Sequence, residues 1–181
     1  MTRVCLVGND DVNLRYELLS RETARDALLT YDLREPFENA VGVETVSLGA
    51  AVALLNDLNW YLVRFVDEAM VLEPSISETE WLSRDLAAAV RDDEVTAAES
   101  ERFLKVYGLE PAAADSSADS DEDADSGVGS DSADNGLGDD DPARIVEPMY
   151  VTRTGPDVPE YDLREVEETL VERVTEAEFG A

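Results

Sequence analysis

Three residues stand at the end of the first apolar segment of the chain, at a place where α/β proteins bind ligands. Gly8 ends residues 3–8, which have the pattern of a buried strand, and Asn9 and Asp10 come directly after it. Ligands of α/β sheets lie beyond the carboxyl ends of strands, so these three are candidate ligand-binding residues. The stretch lacks the G-x-G-x-x-G fingerprint and the P-loop lysine, and a single glycine after a strand is also typical of an ordinary turn.

A second group combines amides, an aromatic ring and a guanidinium. Asn56 and Asn59 mark the end of a predicted helix, and Arg64 interrupts a segment that is apolar on both sides. A guanidinium in that position needs solvent, a carboxylate or an anionic ligand. We include Asn56, Asn59 and Arg64 among the candidate ligand-binding residues. A helix end with an anchoring Trp60 and a solvent-facing arginine would produce the same pattern.

The composition excludes several kinds of chemistry. The chain contains no histidine and one cysteine, Cys5, which lies in an apolar segment. The Ser-His and Cys-His mechanisms, the common zinc sites and an intrachain disulfide are therefore excluded. The acidic stretch beginning at Asp121 lacks the glycine and the glutamate that a calcium-binding loop needs. Carboxylates for acid–base catalysis are too numerous for any pair to stand out. We predict no catalytic residue, metal site or cofactor.

The balance of charges indicates the solvent in which the chain works. Asp and Glu total 43, Lys and Arg total 14, and the formal net charge is -29. A disordered acidic protein would have such a charge, but 44% of the residues are hydrophobic and many fall in periodic segments. In molar salt the Debye length shrinks to about 3 Å, so repulsion between carboxylates no longer opposes folding. We expect a folded protein of a high-salt cytoplasm.

The same features limit the partners. No segment approaches the ~20 apolar residues of a membrane span, and phosphate binding through counterion release collapses at high salt. We predict a cytoplasmic protein that binds neither membranes nor nucleic acid. Without a catalytic motif, the favoured function is a non-catalytic interaction or regulatory module that binds a protein partner or self-associates. The alternative is a small-ligand-binding α/β domain or an enzyme that uses carboxylates and arginine.

Composition also divides the chain into three parts. Residues 1–109 form the predicted α/β body. Residues 110–142 contain no aromatic residue and no cation, and this composition predicts a disordered acidic linker. Residues 143–181 contain a predicted strand and helix. A piece of that size is too small to hold a core by itself, so we expect it to dock on the body and complete the same domain.

Hydrophobic periodicity predicts an α/β or α+β fold, with a small mixed sheet flanked by helices. Strands are predicted at residues 3–8, 43–48, 61–66, 69–72 and 149–152, with a hairpin turn at 67–68, and helices at 24–31 and 50–58. Asn13 and Ser20 are both candidate N-caps for the first helix. Residues 61–72 could instead form one long helix. Capping boxes at Ser77 and Thr96 predict two further helices, the second carrying Phe103 and Tyr107 on one face. Residues 163–175 fit either a helix or a strand.

Several stretches of the chain resemble an uncharacterised family of halophilic archaea, the domain of unknown function DUF5804. The similarity covers residues 14–109 and rests on LRYELLSRETARDAL, VETVSLGAAVALLNDLNWYLVRFVDEA, EPSISETEWLSRDLA and FLKVYG. It resumes after the acidic segment at EPMYVTRT and EYDLREVE. The resemblance implies a high-salt cytoplasm, in accord with the charge balance, and it implies no activity, cofactor or catalytic residue.

Overall fold

A computed structural model describes residues 1–111, 142–155, 158–163 and 165–179. The predicted acidic linker lies almost wholly outside these residues. The helices are α1 Leu14–Leu19, α2 Glu22–Leu28, α3 Leu48–Asp57, α4 Asn59–Phe65, α5 Arg84–Arg91 and α6 Glu176–Phe179. The strands are β1 Thr2–Gly8, β2 Ala40–Thr45, β3 Val66–Leu72, β4 Trp81–Ser83, β5 Phe103–Glu110, β6 Arg144–Thr152 and β7 Glu168–Val174.

The strands form one mixed sheet in the order β2-β1-β3-β4-β7-β5-β6. All neighbouring strands are antiparallel except β4 and β7, which run parallel. The predicted mixed sheet flanked by helices is therefore confirmed. Strand β7 lies between β4 and β5, so a strand from the end of the chain connects two strands of residues 1–109.

The two faces of the sheet have different surroundings. On the outer face, Val4, Leu6, Val71 and Leu82 pack with the helices around Leu55, which is fully buried. The inner face holds a second cluster, formed by Cys5, Ala40, Met70, Tyr107 and Leu170. The sheet curls around this face, because Glu68 on β3 bonds to Lys105 and Tyr107 on β5 across two intervening strands.

The segment after α3 is a helix followed by a strand, and the predicted strand at residues 61–66 is wrong. Leu58, Tyr61, Leu62 and Phe65 recur at helical spacing, and the first three are buried in the outer core. Burial of one face therefore outweighs the strand preference of aromatic and β-branched residues. Helix α4 ends at Phe65, and β3 begins at once, without the predicted hairpin turn at residues 67–68.

Both predicted capping boxes form hydrogen bonds, but neither begins the long helix we expected. The backbone N–H of Glu80 donates to Ser77 Oγ at 3.0 Å, yet a turn and β4 follow. Helix α5 is capped by Ser83 instead. Thr96 and Glu99 bond reciprocally and produce a single 3₁₀ turn before β5. The predicted second helix is therefore wrong, because Phe103 and Tyr107 lie on the strand β5. Residues four apart share one face of a strand as well as one face of a helix.

Other local predictions fared better. Asn13 caps α1, and its side chain accepts a hydrogen bond from the N–H of Tyr16. The predicted helix at residues 50–58 corresponds to α3, and the two alternatives for 163–175 resolve in favour of the strand β7. The strand predicted at 43–48 lies earlier, at Ala40–Thr45, because Ser47 caps α3 through the N–H of Ala50.

Candidate functional site

Helix α4 presents an aromatic ring between two guanidinium groups. Trp60 is 46% exposed, and its neighbour Val63 is 73% exposed. The guanidinium carbon of Arg64 lies 3.8 Å from the centre of the indole ring, and that of Arg21 lies 5.4 Å from it. One helical turn separates Trp60 from Arg64, so α4 itself sets the closer contact. Cation–π attraction holds these side chains against each other at the surface.

The two candidate asparagines hold a third arginine beside α4. Arg84, at the start of α5, donates to Asn59 Oδ1 at 2.9 Å and to Asn56 Oδ1 at 3.3 Å. The end of α3 and the start of α4 thus fix the guanidinium of Arg84 through neutral amides. We use the name "α4 face" for Trp60, Val63 and Arg64 together with Arg21 and Arg84.

The charges of the α4 face are only partly neutralised. Arg21 forms a 3.5 Å ion pair with Glu17. Arg64 donates to the carbonyl of Trp60 at 3.0 Å, and Arg84 donates to the amide oxygens. Among the described carboxylates, none forms an ion pair with Arg64 or Arg84. In a chain with three times as many acidic as basic residues, these two guanidinium groups remain free to bind an anion.

The other three candidate residues lie at a different place, beside a cleft of about 860 Å³ at the mouth of the curled sheet. Gly8 and Asp10 line this cleft. Asn9 lies against the end of α4, where its side chain donates to the carbonyl of Arg64 at 3.1 Å. The guanidinium of Arg64 does not line the cleft. The six candidate residues therefore do not converge on one pocket, and the hydrogen bonds from Asn9 to α4 go to backbone carbonyls of that helix.

Gly8 is required by close packing. A Cβ at this position would lie 2.7 Å from Nδ2 of Asn39 and 2.8 Å from the Cβ of Leu14. Asn39 adopts a left-handed φ of 55°, and its side chain bonds to the carbonyls of Asn9 and Val12 and to the N–H of Leu14. The glycine therefore lets Asn39 organise the loop after β1, which explains its presence without a ligand.

The cleft is acidic. Asp10, Glu38, Asp67, Glu68 and Glu147 line it, and Arg144 is its one basic lining residue among those described. Burial and the nearby charges of Asp10 and Glu68 raise the pKa of Asp67 above its ordinary value. These carboxylates repel one another, and a bound cation would relieve that repulsion.

The inner face of the sheet carries a polar cluster that the sequence analysis missed. Glu68 Oε2 accepts hydrogen bonds from Lys105 Nζ at 2.8 Å and from the Tyr107 hydroxyl at 2.7 Å. Glu172 on β7 is fully buried beside Glu68, and burial, together with the charge of Glu68, raises its pKa well above 4.5. We use the name "inner cluster" for Glu68, Lys105, Tyr107 and Glu172. Lys105 is the only lysine of the chain. A single lysine within a strand was the sequence feature that could have pointed to this cluster.

A second unexpected cluster lies on the outer face. Glu80 accepts hydrogen bonds from Arg153 Nη2 at 2.8 and 2.9 Å and from Arg173 Nε at 2.9 Å. Arg173 is 4% exposed and also donates to Ser100. We use the name "outer clamp" for Glu80, Arg153 and Arg173. It joins residues near β4 to the C-terminal part of the chain.

The geometry thus defines an α+β protein with a surface of exposed aromatic and guanidinium groups and an acidic cleft. Residues 2–109 match the model of a family of unknown function, DUF5804, and the chain belongs to that family. A search of the curated proteins and a search of the solved structures find no match.

Two further findings concern the described part of the chain. No helix there has the length and the apolar composition needed to cross a membrane. No group of three or more His, Cys, Asp or Glu side chains in these residues could hold a metal ion.

Proposed function

We propose that this protein is a non-catalytic interaction module whose α4 face binds an acidic segment of a partner protein. The observation that supports the proposal is the exposed indole of Trp60 with a guanidinium 3.8 Å from its centre. Tryptophan and arginine are the residues most enriched among those that dominate binding energies at protein interfaces. On the α4 face they are exposed together, with Val63 beside them.

Charge decides which kind of partner fits. Arg64 and Arg84 bond only to neutral oxygens, so a carboxylate can approach each without displacing an ion pair. Arginine binds carboxylates through two parallel hydrogen bonds, which are short-ranged and persist when salt screens long-range attraction. An apolar side chain of the same segment would cover Trp60 and Val63. The partner segment therefore combines acidic and apolar residues.

A photo-crosslinking experiment tests this proposal. A benzophenone amino acid replaces Val63 in one variant and Val46 in the other, since both valines are strongly exposed, at 73% and 81%. We expect the probe at position 63 to crosslink a defined protein in an extract at molar potassium chloride. Mass spectrometry should place the crosslink in an acidic segment of that partner.

Two double variants supply the matched control. R64Q/R84Q removes the two arginine charges of the α4 face that have no ion pair with a described carboxylate, and R3Q/R34Q removes the same charge from two arginines that lie near Glu44. The position-63 crosslink should disappear in the first variant and persist in the second. Equal crosslinking from positions 46 and 63, or no effect of R64Q/R84Q, would contradict the proposal.

The charge balance motivates a second element of the proposal, a concentrated-salt cytoplasm of the haloarchaeal type. With 43 acidic and 14 basic residues, self-repulsion destabilises the folded chain in dilute buffer. The free energy of unfolding, measured by urea titration, should rise steadily from millimolar to molar potassium chloride. A constant value over that range would exclude this element of the proposal.

A small-ligand-binding domain is the second candidate function, and the cleft lined by Gly8 and Asp10 favours it. The acidic lining fits a small organic cation. Titration with spermidine at molar salt, followed by NMR, should shift the signals of residues in this cleft and leave those of α4 unchanged. The D67N variant should bind less tightly than wild type, and unchanged binding would exclude the cleft.

A further inference from the structure

The two halves of the sheet meet at a short junction. Strand β4 has three residues and pairs with β7 through Trp81–Glu172 and Leu82–Arg173 alone. The next pairing, between β7 and β5, has seven residue pairs. We use the name "seam" for the β4–β7 pairing. Since the ladder is so short, side chains on the two faces must contribute much of the stability of the seam.

Glu172 lies in the seam itself and faces the inner cluster. Its side chain is fully buried, and neither carboxyl oxygen accepts a hydrogen bond from a described donor. Glu172 lies opposite Lys105 in the β5–β7 register, and Lys105 Nζ donates to Glu68 at 2.8 Å, so the carboxyl groups of Glu68 and Glu172 are neighbours. Two carboxyl groups can share a hydrogen bond only when one of them carries a proton, because a carboxylate has acceptors and no donor. Glu172 is the more buried of the two and therefore holds that proton.

The surroundings of Glu172 provide one positive charge. The titratable and charged groups that face it come from β1, β3, β5 and α6, and are Cys5, Glu68, Lys105, Tyr107 and Glu178. Tyr150 on β6 lies beside Lys105 and Tyr107. Trp81 on β4 adds no charge. Burial raises the pKa of Cys5 and of Tyr107, so both side chains stay neutral. Lys105 already bonds to Glu68, and nothing in the described chain balances a second carboxylate.

We propose that the seam is a proton-controlled junction, in which protonated Glu172 keeps β7 paired with β4 and loss of this proton separates the two halves of the sheet. The released C-terminal half comprises β5, β6 and β7. Two neighbouring carboxylates inside the fold would share a single lysine. Water that enters between β4 and β7 would hydrate them and reduce their repulsion. The device depends on the inner cluster and is independent of the α4 face.

The direction of the pH dependence follows from linkage. The pKa of Glu172 is raised in the folded chain, whereas in the open state it returns towards 4.5. Above pH 4.5 the open state therefore binds fewer protons than the closed state, and opening becomes more favourable as pH rises. The effect ends once the pH exceeds the pKa of the closed state. One proton changes the opening equilibrium by at most about tenfold per pH unit.

Hydrogen exchange followed by mass spectrometry tests the proposal. Peptides covering β4 and β7 are compared between wild type, E172Q and E168Q across the neutral and alkaline range. Gln cannot ionise, so E172Q should keep both strands protected. Relative to E172Q, wild type should exchange faster by up to about tenfold for each pH unit. E168Q removes an exposed carboxylate from the same strand and should behave like wild type.

Identical pH dependence in wild type and E172Q would overturn the proposal. If E172Q does not fold, the wild-type protein still provides a decisive measurement. Infrared spectra should show a buried protonated carboxyl band at neutral pH. That band should disappear over the pH interval in which the β4 and β7 peptides begin to exchange rapidly. Absence of the band, or its loss without faster exchange, would equally refute a proton-controlled seam.

Discussion

The two faces of the seam use glutamate in opposite ways. In the outer clamp, two guanidinium groups surround one carboxylate, and their hydrogen bonds to Glu80 outweigh the effect of its burial and lower its pKa. In the inner cluster, two carboxyl groups share one lysine, and burial with the charge of Glu68 raises the pKa of Glu172. The number of cations within reach therefore decides whether a buried glutamate is charged.

This difference explains how the fold stabilises β7, a strand from the C-terminal part of the chain, in the middle of the sheet. The N-terminal part supplies the carboxylates Glu68 and Glu80, and the described residues from Phe103 onward supply their cations. The two clusters bond across the seam on opposite faces. Attraction between these carboxylates and their cations thus joins the two parts of the sheet at the seam, where β4 and β7 share only two residue pairs.

The outer clamp gives the largest expected effect on stability. The E80Q variant removes the charge that binds two nearly buried arginines, and we expect a loss of about 3–5 kcal/mol in the free energy of unfolding. E101Q is the matched control, since Glu101 is half-exposed and lies 3.7–3.9 Å from the same arginines. It should cost less than about 1 kcal/mol. Equal losses in urea titrations would mean that burial does not distinguish the two carboxylates.

The inner cluster should respond to loss of its cation. In K105M, Glu68 keeps only the hydrogen bond from Tyr107, and we expect a loss of about 2–3 kcal/mol at neutral pH. Part of this loss should be recovered when the pH is lowered, because a proton can then replace the missing charge. Denaturation at two pH values checks the result. A pH-independent loss would show that the lysine contributes packing and not charge.

The outer clamp should lose its contribution to stability at acid pH, whereas the seam should open as the pH rises. The pKa of Glu80 is lowered in the folded chain, so its contribution to stability is present above pH 4.5 and is lost as the pH falls through the folded value. The difference in unfolding free energy between wild type and E80Q should shrink towards acid pH. A difference that grows in acid would reverse the comparison between the two faces.

The smallest expected effect comes from a single neutral donor. Y107F removes the hydroxyl that donates to Glu68 at 2.7 Å, and the expected cost is about 1 kcal/mol because Lys105 still bonds to the same oxygen. The value is obtained from urea titration at neutral pH. A cost as large as that of K105M would indicate that the hydroxyl, and not the ammonium, holds the carboxylate of Glu68.

The predictions from sequence succeeded where the determinants are local. Asn13 caps a helix because its side chain reaches an N–H three residues away. Ser77 also bonds as predicted to the N–H of Glu80, but the carboxylate of Glu80 binds Arg153 and Arg173 instead of returning to Ser77. The two arginines lie 73 and 93 positions after Glu80 in the chain. A prediction from neighbouring residues could not include them, although they determine which bonds Glu80 forms.

The candidate site shows the same division. Asn56, Asn59 and Arg64 stood out because polar groups beside a tryptophan are conspicuous in sequence. Arg84, the partner of the two asparagines, did not, since it comes to them from another helix. The inner cluster was equally hidden, because Lys105 and Glu172 look like isolated charges in alternating strands.

Sequence by itself determined the acidic surface, the exclusion of histidine and disulfide chemistry, and the alternation of helices with strands in a mixed sheet. These properties depend on composition and on the periodicity of neighbouring residues. Only the tertiary structure decided that β7 enters the middle of the sheet and that the pKa values of Glu80 and Glu172 are shifted in opposite directions. The reason is that a carboxyl group ionises according to the cations and the water around it, and folding brings those neighbours from distant parts of the chain.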